Sequence, residues 1–150
     1  MGDRAFIDRF LGEKRICRFA VTRKDGGPLV RAIWYIWEDG KIIISTKTNA
    51  VHTQIVRRNP KISVIVDKDT PPYGAVVCEG EVQLVEGVGK DHELLVRCAE
   101  RYLGAEAAKG FMAGPIAQVD RVRFVVHPKR WTIWDYSTTP PTLPRAGSYT

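Results

Sequence analysis

Apolar side chains recur along this chain with two periods, and the change from one to the other predicts its elements. Phe6, Ile7, Phe10 and Leu11 fall at i, i+1, i+4 and i+5, the stripe of an amphipathic helix that Asp3 caps and Gly12 ends. The period then drops to two. Residues 16–22 put Cys17, Phe19 and Val21 on one side, as a half-buried strand does. Lys24-Asp25-Gly26-Gly27-Pro28 turns the chain into residues 30–37, which are almost all β-branched or aromatic. Asp39-Gly40 follows as a two-residue hairpin loop, with 42–46 as the return strand. A short helix comes next, N-capped by Asn49 and stopped by Asn59-Pro60; residues 62–66 are again a strand.

Further along, residues 75–85 read as a long strand in which Gly80 marks a bulge or a close backbone approach. Leu94, Leu95, Cys98, Ala99, Tyr102 and Leu103 form the stripe of the clearest helix, 90–103, which Gly104 ends. Residues 105–113 add a short second helix. In the strand 120–127, Val122, Phe124 and Val126 alternate with Arg121 and Arg123 as the wet face. Lys129-Arg130 reads as a turn into a last strand, 131–136. Residues 137–150, rich in Pro, Thr and Ser, read as a flexible arm or one that orders only against a partner. The expected architecture is one domain over 1–136, mainly β with a few short helices (α+β).

The hairpin loop fixes a register. Glu38 faces Lys41 and Trp37 faces Ile42; continued, Tyr35 faces Ile44 and Ile33 faces Thr46. Arg31 and Ile33 then share a face with Thr46 and Thr48, close to where the short helix begins. The first N–H groups of a helix lack partners inside it, so this corner makes an anion cradle. The alternative is an ordinary solvated strand end.

Composition narrows the chemistry. The chain has 150 residues, 44% of them apolar, enough for one domain with a real core. A net charge of +6 points to an anionic partner, but the charge is spread and forms no long basic tract. No apolar run approaches a membrane span, and the N-terminus is unlike a signal peptide. Cys17, Cys78 and Cys98 are scattered without a CxxC, which fits reduced thiols in a cytoplasmic protein and no metal site. No GxSxG, HExxH, P-loop or GxGxxG is present, so hydrolase and Rossmann chemistry have no carrier here.

The order strand, Asp-Gly, strand, STxTN, helix, RRNP, strand resembles the split-barrel flavoproteins of the pyridoxamine 5'-phosphate oxidase-like superfamily, above all its flavin- and deazaflavin-dependent reductase branch. The carrying residues are Arg31, Ala32, Ile33 and Trp34, then Ser45-Thr46, then 57–60 and 78–85. The likeness implies a six-stranded, mostly antiparallel split β-barrel of the FMN-binding type. It implies a homodimer with cofactor sites at the interface, FMN or the deazaflavin coenzyme F-420 as cofactor, and hydride transfer to or from a small organic substrate. In that family a strand Arg, the Thr closing the next strand and a Lys in the first helical turn hold the cofactor phosphate. Arg31 and Thr46 match; His52 stands in the place of the Lys, and Lys47 is a second source of charge. If His52 acts as a cation, affinity should fall between about pH 6 and pH 8. By the same likeness Trp131 or Trp134 reaches the partner's cofactor, the alternative being a core Trp. The cofactor-binding set is therefore Arg31, Ala32, Ile33, Trp34, Ser45, Thr46, Lys47, His52 and Trp131, with no catalytic residue assigned. The helices 90–113 resemble the insertion that covers one side of the family's groove. The tail TTPPTLPRAGSYT lacks the basic signature of the vitamin B6 oxidases. Two other readings are a non-catalytic cofactor- or haem-binding barrel, and a basic barrel stacking single-stranded nucleic acid on its Trp side chains.

Overall fold

The structure is a computed structural model that describes residues 2–148; Met1 and the last two residues of the C-terminal arm lie outside them. Helix α1 (Gly2–Gly12) buries its stripe of Ile7, Phe10 and Leu11. Strands β1 (Cys17–Thr22), β2 (Pro28–Ile33), β3 (Ile36–Glu38) and β4 (Lys41–Lys47) follow, then helix α2 (Val51–Arg58), β5 (Lys61–Lys68) and β6 (Gly74–Val85). Helices α3 (His92–Leu103) and α4 (Ala105–Ala113) and a 3-10 turn (Pro115–Gln118) precede β7 (Arg121–Asp135) and β8 (Thr142–Ser148).

All strands join one antiparallel sheet in the order β2-β1-β5-β6-β7-β4-β3, with β8 on β7. The sheet curls into a split barrel around Phe19, Ile44, Val64, Val66, Val76 and Phe124. Ile36, Leu94 and Cys98, with Trp34 and Ile43 packed against them, form a second, smaller cluster where α3 lies on the outside of the barrel. Among the described residues no helix is long and apolar enough to cross a membrane.

The hairpin forms as its loop dictates. Asp39 and Gly40 take φ of +51° and +72°, the pair of left-handed conformations a two-residue loop needs. Glu38 pairs with Lys41 and Trp37 with Ile42. Beyond Ile36 the expected register stops. The run 30–37 is two strands, broken at Trp34-Tyr35, and β2 pairs with β1, so Ile33 lies opposite Cys17 and not Thr46. Tyr35 explains the change of partner. Its side chain is fully buried and donates through its hydroxyl to the Leu11 carbonyl at 2.8 Å. Its backbone N–H donates to the Tyr102 hydroxyl at 3.2 Å, replacing the ladder bond that the break removes.

Three further expectations change. Asn49 does not cap α2: Ala50 holds the N-cap position without a side-chain bond, and the Thr53 hydroxyl donates to the Lys47 carbonyl at 2.7 Å. Lys129-Arg130 is no turn, because β7 runs unbroken for 15 residues alongside all of β6. Its irregularity is absorbed at Gly80, where the pairing slips by one residue, as the glycine signalled. The arm, read as flexible or as ordering only against a partner, supplies β8. Residues 121–126 of β7 pair with β4, which leaves the edge at 130–135 open, and β8 covers that edge. Eight strands therefore stand where six were expected.

Candidate functional site

The break at Trp34 opens a cavity of about 800 Å³ between the barrel and the helices. Its first wall is the end of β2 and the break, Arg31 to Trp34. Its second is the end of β4, Ser45 to Lys47, continued by Val51 and His52 at the start of α2. Leu95 and Cys98 of α3, Phe111 of α4 and Ile116 of the 3-10 turn cover it. The volume suits a cofactor-sized ligand. The cover holds because Trp34 stacks on Tyr102 of α3, with centroids 5.2 Å apart and planes 4° from parallel, and touches Phe111 at 5.1 Å. Asp91, just before α3, takes two bonds from Arg123 of β7, at 2.8 and 2.7 Å, and this pair pins the helix to the sheet.

The mouth is positive. Arg31 is exposed, donates only to its neighbour's carbonyl (Val30, 2.9 Å) and forms no ion pair among the described residues. Lys47 is exposed beside it, and α2 carries no acidic residue in its first turn to occupy the positive end of its dipole.

Thr46 and His52 line the same cavity differently from expectation. Thr46 Oγ1 lies 2.6 Å from His52 Nε2, and both residues are buried. The imidazole stands edge-on between Phe19 and Phe124, with centroids at 5.2 and 5.9 Å. Burial, and secondarily the nearby Arg31 charge, push its pKa down from 6.5 to about 4. His52 is therefore a neutral ring at pH 7. It is not the cation that would replace a lysine, and a fall of affinity between pH 6 and pH 8 would not come from His52.

Every residue of the expected set lines the cavity except Trp131. Because β7 continues straight, Trp131 turns into the barrel core with Ile133. It is 5% exposed and meets Trp37 edge-on at 5.9 Å. Several residues on the cavity wall escaped the sequence reading, Ile16, Arg18 and Arg121 among them. Arg121, taken for a wet-face residue of an alternating strand, is only 6% exposed and forms part of the wall. The signal was present: the apolar stripe of α3 has to cover some face, and the outer face of the neighbouring strand is the available one.

Comparison with known families and structures agrees with this fold. A profile of the family described as pyridoxamine 5'-phosphate oxidase matches residues 4–135. No curated protein matches the chain. Among solved structures, a conserved hypothetical protein from Mycobacterium tuberculosis is 27% identical over 97% of this chain and 91% of its own, with a TM-score of 0.71. An F-420 reductase is 22% identical over 83% of this chain and 94% of its own, with a TM-score of 0.68. A heme binding protein from Mycobacterium smegmatis is 17% identical over 93% of this chain and 55% of its own, with a TM-score of 0.62. At such identities the last two likenesses are likenesses of fold.

Proposed function

The chain belongs to the pyridoxamine 5'-phosphate oxidase family, and from that premise we propose that it binds FMN or the deazaflavin coenzyme F-420 in the cavity and passes hydride between that ring and a small organic substrate. One observation carries the reading: an uncommitted Arg31 and the acid-free start of α2 line one cavity together with the mostly apolar residues Ala32, Ile33, Trp34, Leu95 and Phe111. A phosphate suits the first part and a planar ring the second. When bound, such a cofactor supplies the hydride chemistry. The residues of this chain do the rest. Arg31 and Lys47 hold the phosphate, with the N–H groups at the start of α2. Trp34 and the covering helices exclude water. His52 fixes the Thr46 hydroxyl at the cavity floor.

The two-helix cover and the RRNP ending at 57–60 favour the deazaflavin, and both cofactors bring an anion to the same cradle. The same reading makes the protein a homodimer with the cavity at the interface. The exposed edge strand β2 supports that, with Val30 58% and Val51 52% exposed near the mouth. Haem storage has less behind it, since the cavity-wall imidazole of His52 is already bonded to Thr46.

Titration of FMN and of the deazaflavin into wild type and Arg31→Ala tests the cradle. A charge-assisted bond from Arg is worth roughly 1.5–3 kcal/mol, so the variant should bind about tenfold to a hundredfold more weakly. Its fold should survive, because Arg31 is exposed and outside the core. Equal affinity in the two proteins would remove the cradle.

A further inference from the structure

Arg31 accounts for charge at the mouth of the cavity; Arg121 is a second cation, placed inside. Its guanidinium reaches the Ser45 carbonyl and Oγ at 3.4 Å each and the Ile116 carbonyl at 3.3 Å, all longer than a well-made N–H···O bond. Its Nε is buried and has no hydrogen-bond partner among the described residues. Nor does Arg121 form an ion pair among them. Asp91, the acid whose field reaches it, is taken up on both oxygens by Arg123. A buried arginine held by long bonds to neutral groups is costly in the free protein, and such a charge calls for an electron-rich partner. Its neighbours on the wall, Leu95, Cys98 and Ile116, are too apolar to attract the hydrated phosphate that Arg31 and Lys47 suit.

Resting on the cofactor reading above, we propose that Arg121 binds the N1–C2 carbonyl edge of the pyrimidine ring that FMN and its deazaflavin analogue share. The two donors of an arginine fork match adjacent acceptors in one plane, here N1 and the C2 carbonyl oxygen. A fixed positive charge there favours the ring once it has gained electrons, so Arg121 also raises the reduction potential of the bound cofactor. The two arginines then divide the ligand: Arg31 takes the phosphate and Arg121 the ring.

FMN and riboflavin, which lacks the phosphate, separate the two roles when titrated into wild type, Arg31→Ala, Arg121→Met and Arg121→Lys, with the midpoint potential of bound FMN and the Tm of each free protein measured alongside. The same series is run with the deazaflavin. Arg121→Met should weaken FMN and riboflavin by a similar factor, about tenfold or more, and move the potential to more negative values. Arg121→Lys should recover part of both effects. Arg31→Ala should weaken FMN alone. The Tm of Arg121→Met should match or exceed wild type, because Met removes an unpaired buried charge. Wild-type riboflavin affinity and potential in Arg121→Met would overturn the proposal, and so would a loss confined to FMN, which would assign Arg121 to the phosphate. A lower Tm with unchanged binding would make Arg121 a structural tie to Ile116. If wild type binds none of these ligands, the cofactor reading itself fails; if it binds and Arg121→Met does not differ, only this inference does.

Discussion

At the junction of β4 and α2 one hydrogen bond sets the chemistry of two residues. Thr46 Oγ1 and His52 Nε2 are 2.6 Å apart, and both residues are buried. If Nε2 carries the hydrogen, the Thr46 hydroxyl proton is left to point at a ligand; if not, that proton is spent on the ring. Stability must also depend on this ring. The folded pKa of His52, about 4, lies below its ordinary value of 6.5. The unfolded chain therefore binds the proton first as pH falls. The contribution is complete above about pH 6.5 and is lost progressively down to about pH 4, a total on the order of 3 kcal/mol. Denaturant unfolding at pH 7 and at pH 4.5 should show this loss in wild type and a smaller one in His52→Gln. A parallel fall in both proteins would assign the acid sensitivity elsewhere. Cofactor affinity should be flat between about pH 6 and pH 8 as far as His52 is concerned.

At the scale of elements, the barrel depends on places where a strand departs from regularity. β2 and β3 are separated by two residues that belong to neither, and this gap both changes the pairing partner and opens the cavity. β6 and β7 stay together over their whole length because Gly80 takes up the slip. A Cβ built there would stand 2.2 Å from the His127 carbonyl oxygen and 3.1 Å from Pro128 Cα, both backbone atoms that cannot swing aside. Gly80→Ala should therefore force the two strands apart and destabilise the protein by about 1–3 kcal/mol or more, the range for overpacking a closed site. Urea denaturation measures it. A variant as stable as wild type would mean that the bulge yields freely.

For the whole molecule, the question is what covers the mouth. The many aromatic residues, four Trp and five Tyr, gave one sequence-based reason to expect a partner. The fold removes much of that reason. Trp37 and Trp131 pack on each other and Trp34 packs on Tyr102, so these side chains are satisfied within one chain. Of the large apolar side chains that stay exposed, Val51 and Ile116 line the cavity and Val30 lies on the edge strand β2, while Tyr73, Leu103, Tyr136 and Leu143 are exposed as well. Static light scattering at micromolar concentration should give twice the 16.9 kDa of the chain. A monomer under those conditions would take the shared-site arrangement away and leave a cavity completed by one chain alone.

Some of this was written in short stretches of sequence and some was not. The Asp39-Gly40 loop, the end of α3 at Gly104 and the stop at Asn59-Pro60 depend on the conformational limits of one or two residues, which no distant contact needs to supply. The alternation of β1 and the stripe of α3 are local for the same reason, and they carried the fold class. Two stretches of the cavity wall were legible too, since Arg31 to Trp34 and Ser45 to Lys47 flank the same hairpin. Tertiary structure decided the rest. Which strand β2 pairs with turned on a buried Tyr35 that bonds to residues far along the chain, Leu11 and Tyr102. Whether Arg121 faces open water or a covered cavity turned on α3 and the 3-10 turn coming to rest over it. His52 lost its charge because Phe19 and Phe124 close around it. Trp131 entered the core because β7 did not turn. Period and propensity tell which side a residue is on; only the packed chain decides what lies on that side, and burial, pKa and binding follow from that.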